Sequence, residues 1–287
     1  MKQERWVSFL DAGSPGFGRL DDDRIQVCNG QMFGANAATG QQLLLSEVEL
    51  QAPCVPRTLF ALWNNFKAAA QKNAWSTPTE PLYFLKAANS FNAPGAQVPK
   101  PTSYSGRILY EGELGVVIGR DGRNIALAEA EQYIFGYTCV NDVTALDQLR
   151  ADSSFEQWIR AKSFDGFTPI GPCIATGLDA SRLIVRTRIN GRERQNYPVA
   201  DMFFSPNQLV SLLSRDVTLR AGDIISCGTS LGAGPFTAGA LVEVEIDGIG
   251  VLSNRMGEAV VRDDAMVMYQ AADISPAATW TSKERGL

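Results

Sequence analysis

Histidine is absent from all 287 residues. That one absence removes the usual general base near neutral pH, the commonest zinc ligand and the central member of a nucleophilic triad. Any catalysis falls to carboxylates, lysine, tyrosine, a thiol or metal-bound water. Cysteine is sparse: Cys28, Cys54, Cys139, Cys173 and Cys227 are scattered, and no Cys-x-x-Cys pair occurs. An odd number of separated thiols in a chain this long points to small, reduced core residues in a cytoplasmic protein. Positive charge is also short, with 26 Lys and Arg against 31 Asp and Glu, a net charge of -5 and no long basic run. A nucleic-acid partner is therefore not expected. Nowhere do eighteen apolar residues run together, and residues 1–6 lack a continuous apolar segment, so neither a membrane span nor secretion is expected. What remains is ordinary: 45% hydrophobic and 20% charged residues. They suffice for one large domain, or a main domain with a small one attached, and the expected partner is a small molecule.

The stretch from Tyr110 to Gly119 puts two acids where a buried strand should have none. At a period of two, Ile108, Tyr110, Leu114, Val116 and Ile118 share one face, while Glu111 and Glu113 project from the other. Residues two apart on a strand are separated by two rises of ~3.3 Å. Both carboxylates then reach one cation held ~2.0–2.6 Å from its oxygen ligands. Without a cation the pair repels and one acid tends to stay protonated. Gly112 reads as keeping the opposite face open between them. The same pattern also fits a solvent-facing edge strand with two ordinary acids.

Along the chain, residues 1–50 read as short strands separated by turn signals. A buried strand at 58–62, an Ala-rich helix at 66–75 and a strand at 82–86 follow. A helix at 126–132, a strand at 134–140 and a short helix at 143–149 come after the acidic strand. Asp142, at the junction of those last two, fits an N-cap as well as a ligand. Lys162 lies among apolar neighbours and either snorkels to the surface or points at the same pocket as the acids. Asn190-Gly191 marks a tight hairpin, and Ser205-Pro206 opens a helix. Gly228 to Pro235 is glycine-rich, but no helix opens after it, which rejects a dinucleotide fold and leaves a backbone-donor loop for an acidic substrate. Strands outnumber helices, so the fold class is a β-rich α+β arrangement of rolled mixed sheets.

Several separated motifs then carry a resemblance: Tyr110-Glu111-Gly112-Glu113-Leu114-Gly115-Val116-Val117-Ile118-Gly119, Gly136-Tyr137-Thr138-Cys139-Val140-Asn141-Asp142-Val143-Thr144-Ala145, Ala161-Lys162-Ser163-Phe164-Asp165 and Thr218-Leu219-Arg220-Ala221-Gly222-Asp223-Ile224. With Gly228-Thr229 and Ile246-Asp247-Gly248-Ile249-Gly250, they resemble the fumarylacetoacetate hydrolase family over roughly residues 48 to 256. The resemblance implies a mixed β-roll catalytic domain over residues 51–270, after a small N-terminal β module (1–50) and before a polar tail (271–287). It implies a homodimer that binds Mg²⁺ or Mn²⁺ and acts on small 2-oxo or 1,3-diketo acids. By position, Glu111, Glu113 and Asp142 look like the three carboxylate ligands and Lys162 like the active-site lysine. Gly228 and Thr229 look like the loop that meets a substrate carboxylate.

Three departures stand out. The family's Asn-Tyr-x-x-His-Ala-x-Glu, whose His and Glu activate the attacking water in its hydrolases, becomes Asn65-Phe66-Lys67-Ala68-Ala69-Ala70-Gln71-Lys72, with Ala69 and Lys72 at those places. An arginine and a glutamine that normally face the substrate are replaced in Asn141-Asp142-Val143-Thr144-Ala145-Leu146-Asp147-Gln148-Leu149. The usual Gly-Thr-Pro is Gly228-Thr229-Ser230. The implied function is metal-dependent C–C bond cleavage, by a hydrolase or decarboxylase, through an enolate of the 2-oxo acid. Without the dyad, decarboxylation or keto–enol isomerisation is supported at least as well as hydrolysis. The alternatives are an isomerase, tautomerase or hydratase of a 2-hydroxydienoate in aromatic catabolism, and a metal-binding pseudoenzyme.

Overall fold

The computed structural model describes residues 2–258; the expected tail at 271–287 and the last part of the 51–270 domain lie outside the described residues. Four strands, Arg5–Asp11, Ser14–Asp21, Arg24–Gly30 and Asn36–Leu44, form an antiparallel meander. Positive φ at Ala12 and Gly13 lets the first hairpin double back in two residues. Arg5 and Trp6 pair with Ala175 and Ile174 of the strand Thr168–Ala175, so the meander extends a 12-stranded sheet. From there the sheet runs through Ile134–Asn141, Gly112–Ile118, Ile224–Ser226 and Leu59–Trp63 to an edge at Leu82–Lys86. Most neighbours are antiparallel, but Ile224–Ser226 and Leu59–Trp63 are parallel, which makes the sheet mixed. A five-stranded sheet of Arg192–Pro198, Ile184–Ile189, Leu241–Ile246, Gly250–Met256 and Gln97–Val98 packs across its middle. This is the β-rich α+β roll of mixed sheets.

The strand Gly112–Ile118 sits at the centre and is buried along its whole length. Leu114, Val116 and Ile118 enter the main core, while Val117 joins Trp6, Ile170 and Ile174 in a second core on the other face. Burial on both faces rules out the solvent-facing edge strand. Nor does Gly112 leave a face open. A Cβ on Gly112 would stand 2.1 Å from Thr187 Oγ1, because the five-stranded sheet presses directly on it. Gln195 Oε1 accepts from Gly112 N at 2.9 Å and the Tyr197 hydroxyl donates to Gly112 O at 2.5 Å. The missing side chain is what permits that approach.

The helix Pro206–Asp216 opens on a full capping box between Ser205 and Gln208, with Pro206 in its first turn and Leu209 and Leu213 buried. Two other helices differ from expectation. Leu127–Tyr133 forms 3-10 turns. The segment expected as a helix at 143–149 opens instead with a short strand, Thr144–Ala145, which pairs with Ile108–Tyr110 before the helix Leu146–Leu149 begins. Inter-strand hydrogen bonds claim that backbone before a helical turn does.

Candidate metal centre and active site

The register of the two central strands brings the acids together. Gly112 lies opposite Asn141 in an antiparallel pair, so Glu111, one residue before, and Asp142, one residue after, come level. The backbone breaks at Glu111 between two strands, held there by Asp142 N donating to Glu111 O at 2.9 Å and Glu111 N donating to Asn141 Oδ1 at 3.0 Å. Glu113, two residues on, faces the same space. One carboxylate oxygen from each of Glu111, Glu113 and Asp142 lies within 4.8 Å of the others. Asp142 is not an N-cap: the short helix that follows has no side-chain cap, and the Asp142 carboxylate accepts from two lysines instead.

Lys162 reaches in from the helix Trp158–Lys162, its Nζ 2.7 Å from Glu111 Oε2 and 2.5 Å from Asp142 Oδ2. It is buried and does not snorkel. Lys86, at the end of the edge strand, donates to Asp142 Oδ1 at 2.6 Å, Phe167 O at 2.9 Å and Val143 O at 3.3 Å. Glu111 Oε1 accepts from Thr144 Oγ1 at 2.7 Å. Glu113 accepts only from neutral donors, Ser226 Oγ at 2.5 Å and Gly228 N at 2.9 Å. These partners set the protonation states. Burial pushes the Asp142 carboxyl up, but the charges of Lys162 and Lys86 outweigh it and hold it below its ordinary value. Burial and the Asp142 charge push Glu113 well above the usual carboxylate range, against a smaller pull from Lys162. Burial works to deprotonate Lys162, yet the charges of Asp142, Glu111 and Glu113 prevail and raise it. Burial lowers Lys86, more than Asp142 compensates.

A divalent cation fits this donor set. All three ligating groups are carboxylates, with no thiol or imidazole, which is the chemistry of Mg²⁺ or Mn²⁺. Among the described residues Glu113 is the one acid of the three without a cationic partner, and it holds its proton where Glu111 and Asp142 are paired with lysines.

Glu111 and Lys162 line a cavity of about 1130 Å³, with Glu113 and Asp142 buried behind them. Thr229 lines it, its hydroxyl donating to Gly112 O at 3.0 Å and accepting from Gln195 Nε2 at 2.8 Å. Gly228 lies behind the acids with its N–H given to Glu113, so of this pair only Thr229 lines the cavity. Ser230, which replaces the usual proline, lines the cavity with a buried hydroxyl that has no hydrogen-bond partner among the described residues. The other departures, Ala69, Lys72, Leu146 and Leu149, all line the same space. Sequence reasoning missed Lys86, Ser226, Gln195 and Tyr197. Only for Lys86 was there a signal: at period two it shares a face with Phe84 in an otherwise apolar strand.

Residues 54–257 match the family described as Fumarylacetoacetate (FAA) hydrolase C-terminal, and residues 4–53 match Rv2993c-like, N-terminal. A Salmonella dublin protein named 4-hydroxyphenylacetate degradation bifunctional isomerase/decarboxylase is 40% identical over 202 residues, 69% of this chain and 46% of that protein. The structure of 5-carboxymethyl-2-hydroxymuconate delta-isomerase from Mycobacterium smegmatis has a TM-score of 0.82 at 33% identity, covering 88% of this chain and 99% of that one. Fumarylpyruvate hydrolase from Pseudomonas aeruginosa, solved in complex with Mn²⁺ and pyruvate, has a TM-score of 0.65 at 30% identity, covering 70% and 90%. Isomerase, decarboxylase and hydrolase thus all occur among its relatives. With residues 54–257 inside that domain, the chain belongs to the fumarylacetoacetate hydrolase family.

Proposed function

We propose that the chain is a divalent-metal-dependent enzyme that breaks a C–C bond in a small 2-oxo acid by decarboxylation. The observation that carries this reading is the convergence of Glu111, Glu113 and Asp142, with Glu113 lacking a cationic partner, beside a lysine held protonated. Glu111, Glu113 and Asp142 would hold Mg²⁺ or Mn²⁺, which supplies Lewis-acid charge at the keto and carboxylate oxygens of the acid. Lys162 is charged by its neighbours, so it serves as a cation and proton donor and not as a base. The departing carboxylate is a second one, on the carbon next to the keto carbon: its bond to that carbon breaks, the electron pair moves through that carbon toward the keto oxygen, CO₂ leaves, and a proton returns to the same carbon. Ser230 offers its unpartnered hydroxyl to the carboxylate that stays, while Thr229, whose proton goes to Gly112 O, lines the cavity with it.

Hydrolysis is less well supported because it needs an activated water. Ala69 has no acid–base group and Lys72 is a cation, while the cavity's other acids are engaged: Asp147 with Arg107, and Glu156 with the Trp158 indole N–H at 2.8 Å. Isomerisation of a 2-hydroxydienoate is the second reading. It uses the same charge at the same oxygens, needs no water, and is supported by the likeness to the Mycobacterium smegmatis isomerase. Calorimetric titration with Mn²⁺ should show one site per chain, lost in Glu113→Gln. Product analysis by NMR should show CO₂ and the shortened 2-oxo acid. A rearranged product without fragments moves the assignment to the second reading, and Mn²⁺ affinity unchanged in Glu113→Gln overturns the site.

A further inference from the structure

Beyond the acids, one wall of the cavity is built of rings. Phe84 begins it beside the reacting end, its ring centroid 5.0 Å from Lys162 Nζ. Trp158 stacks on Phe84 at 5.1 Å with 24° between the planes, Trp63 meets Trp158 at 6.0 Å, and Trp75 meets Trp63 at 5.0 Å. All four line the cavity. They come from the strands Leu59–Trp63 and Leu82–Lys86, the turn after the helix Lys67–Asn73, and the helix Trp158–Lys162, so tertiary packing and not sequence proximity brings them together. Three of the chain's five tryptophans are spent here. The Trp158 indole N–H donates to Glu156 at 2.8 Å, which fixes the plane of the ring.

A four-carbon acid makes little use of such a wall. The cavity, about 1130 Å³, is larger than the ~300–1,000 Å³ usual for small-molecule sites, and Ala69 keeps another part of its lining small. Flat π surfaces, half-buried at Trp63, Phe84 and Trp158 and exposed at Trp75, select planar groups by offset stacking or edge contact. They also attract cations, but with Arg107 and Asp147 paired, Lys72, Arg150 and Lys162 outnumber Glu111 and Glu156 in the lining and oppose a cationic tail. We propose that the substrate is a 2-oxo acid bearing a planar, uncharged aromatic or conjugated substituent, laid along Phe84, Trp158, Trp63 and Trp75 while its 2-oxo carboxylate end sits at the acids and Lys162. This rests on the reading of the site as a 2-oxo acid centre and adds which acids it takes.

Pyruvate and phenylpyruvate share the reacting end and differ by one ring, so they separate the two ideas. In calorimetric titrations with Mg²⁺ present, phenylpyruvate should bind at least about tenfold more tightly than pyruvate, a difference within reach of stacking plus apolar burial. Trp158→Leu and Phe84→Leu keep apolar bulk and remove a π face; each should shrink the phenylpyruvate-to-pyruvate affinity ratio toward one. Pyruvate binding as tightly as phenylpyruvate overturns the inference and leaves the 2-oxo acid reading standing. Mg²⁺ bound but neither acid bound overturns both. A ratio unmoved in both variants overturns the assignment of the tail to this wall.

Discussion

Lys86 decides how the centre is held. Its ammonium is fully buried and takes one oxygen of Asp142 and two backbone carbonyls, while Lys162 takes the other Asp142 oxygen. Asp142 is therefore clamped from both sides, and its orientation toward Glu111 and Glu113 is set before any ligand arrives. Lys86→Met nearly keeps the length of the side chain but leaves a buried carboxylate oxygen and the Val143 carbonyl without this donor, while Phe167 O keeps Val143 N at 3.1 Å. Breaking one side of a buried ion pair costs roughly 3–5 kcal/mol, and urea denaturation of the metal-free protein should show a loss of that size. Saturating Mg²⁺ should recover part of it, since a cation restores charge to Asp142. A variant as stable as the parent would mean that the clamp contributes nothing. The residue was hard to find from sequence because a lysine closing an apolar strand looks like an ordinary surface terminus. Its burial follows from Val143 and Phe167, which are remote in the chain.

Among the elements, those fixed by local chemistry were legible and those fixed by partners were not. Asn190-Gly191 turns the hairpin between Ile184–Ile189 and Arg192–Pro198 with positive φ at both residues, and Ser205 with Pro206 starts its helix where the side chains cap it. The acidic pair was legible for the same reason, since two acids at strand spacing stand out in an apolar run. Gly112 between them was misread, because its role belongs to a sheet more than seventy residues away. Gly112→Ala would bring a methyl group 2.1 Å from the hydroxyl of Thr187, a fully buried β-branched residue with little freedom to turn. Overpacking of this kind costs about 1–3 kcal/mol, and the strand carrying Glu111 and Glu113 must move with it. Thermal denaturation should show the loss, and Mn²⁺ titration a weaker site. Adding Thr187→Ala removes the obstructing oxygen and should restore most of both. A double variant no better than the single one would place the strain elsewhere.

At the scale of the whole molecule, an acid without a cationic partner is buried where the acidic strand meets its neighbours, and folding must accommodate its titration. In the unfolded chain Glu113 titrates as an ordinary carboxylate; in the fold, burial and Asp142 hold its proton to higher pH. Between those two values the folded state binds more protons than the unfolded state, so this group's contribution to stability falls as pH rises. Asp142 acts oppositely: its lowered value contributes stability that is lost only as pH falls through the acid range. A cation bound by Glu113 requires the proton to leave, so its affinity must rise across the window in which Glu113 loses stability. Mg²⁺ at a hundred times its dissociation constant stabilises a fold by about 2.7 kcal/mol, or roughly 5–10 °C in melting temperature. The increment from Mg²⁺ over a chelator control should therefore be small near the ordinary carboxylate pKa and grow toward that value as pH rises. In Glu113→Gln, which carries no charge to compensate, both the decline of the metal-free protein and the growth of the Mg²⁺ increment should flatten. An increment already full at acid pH, or unchanged in Glu113→Gln, would show that the titrating acid is some group other than Glu113.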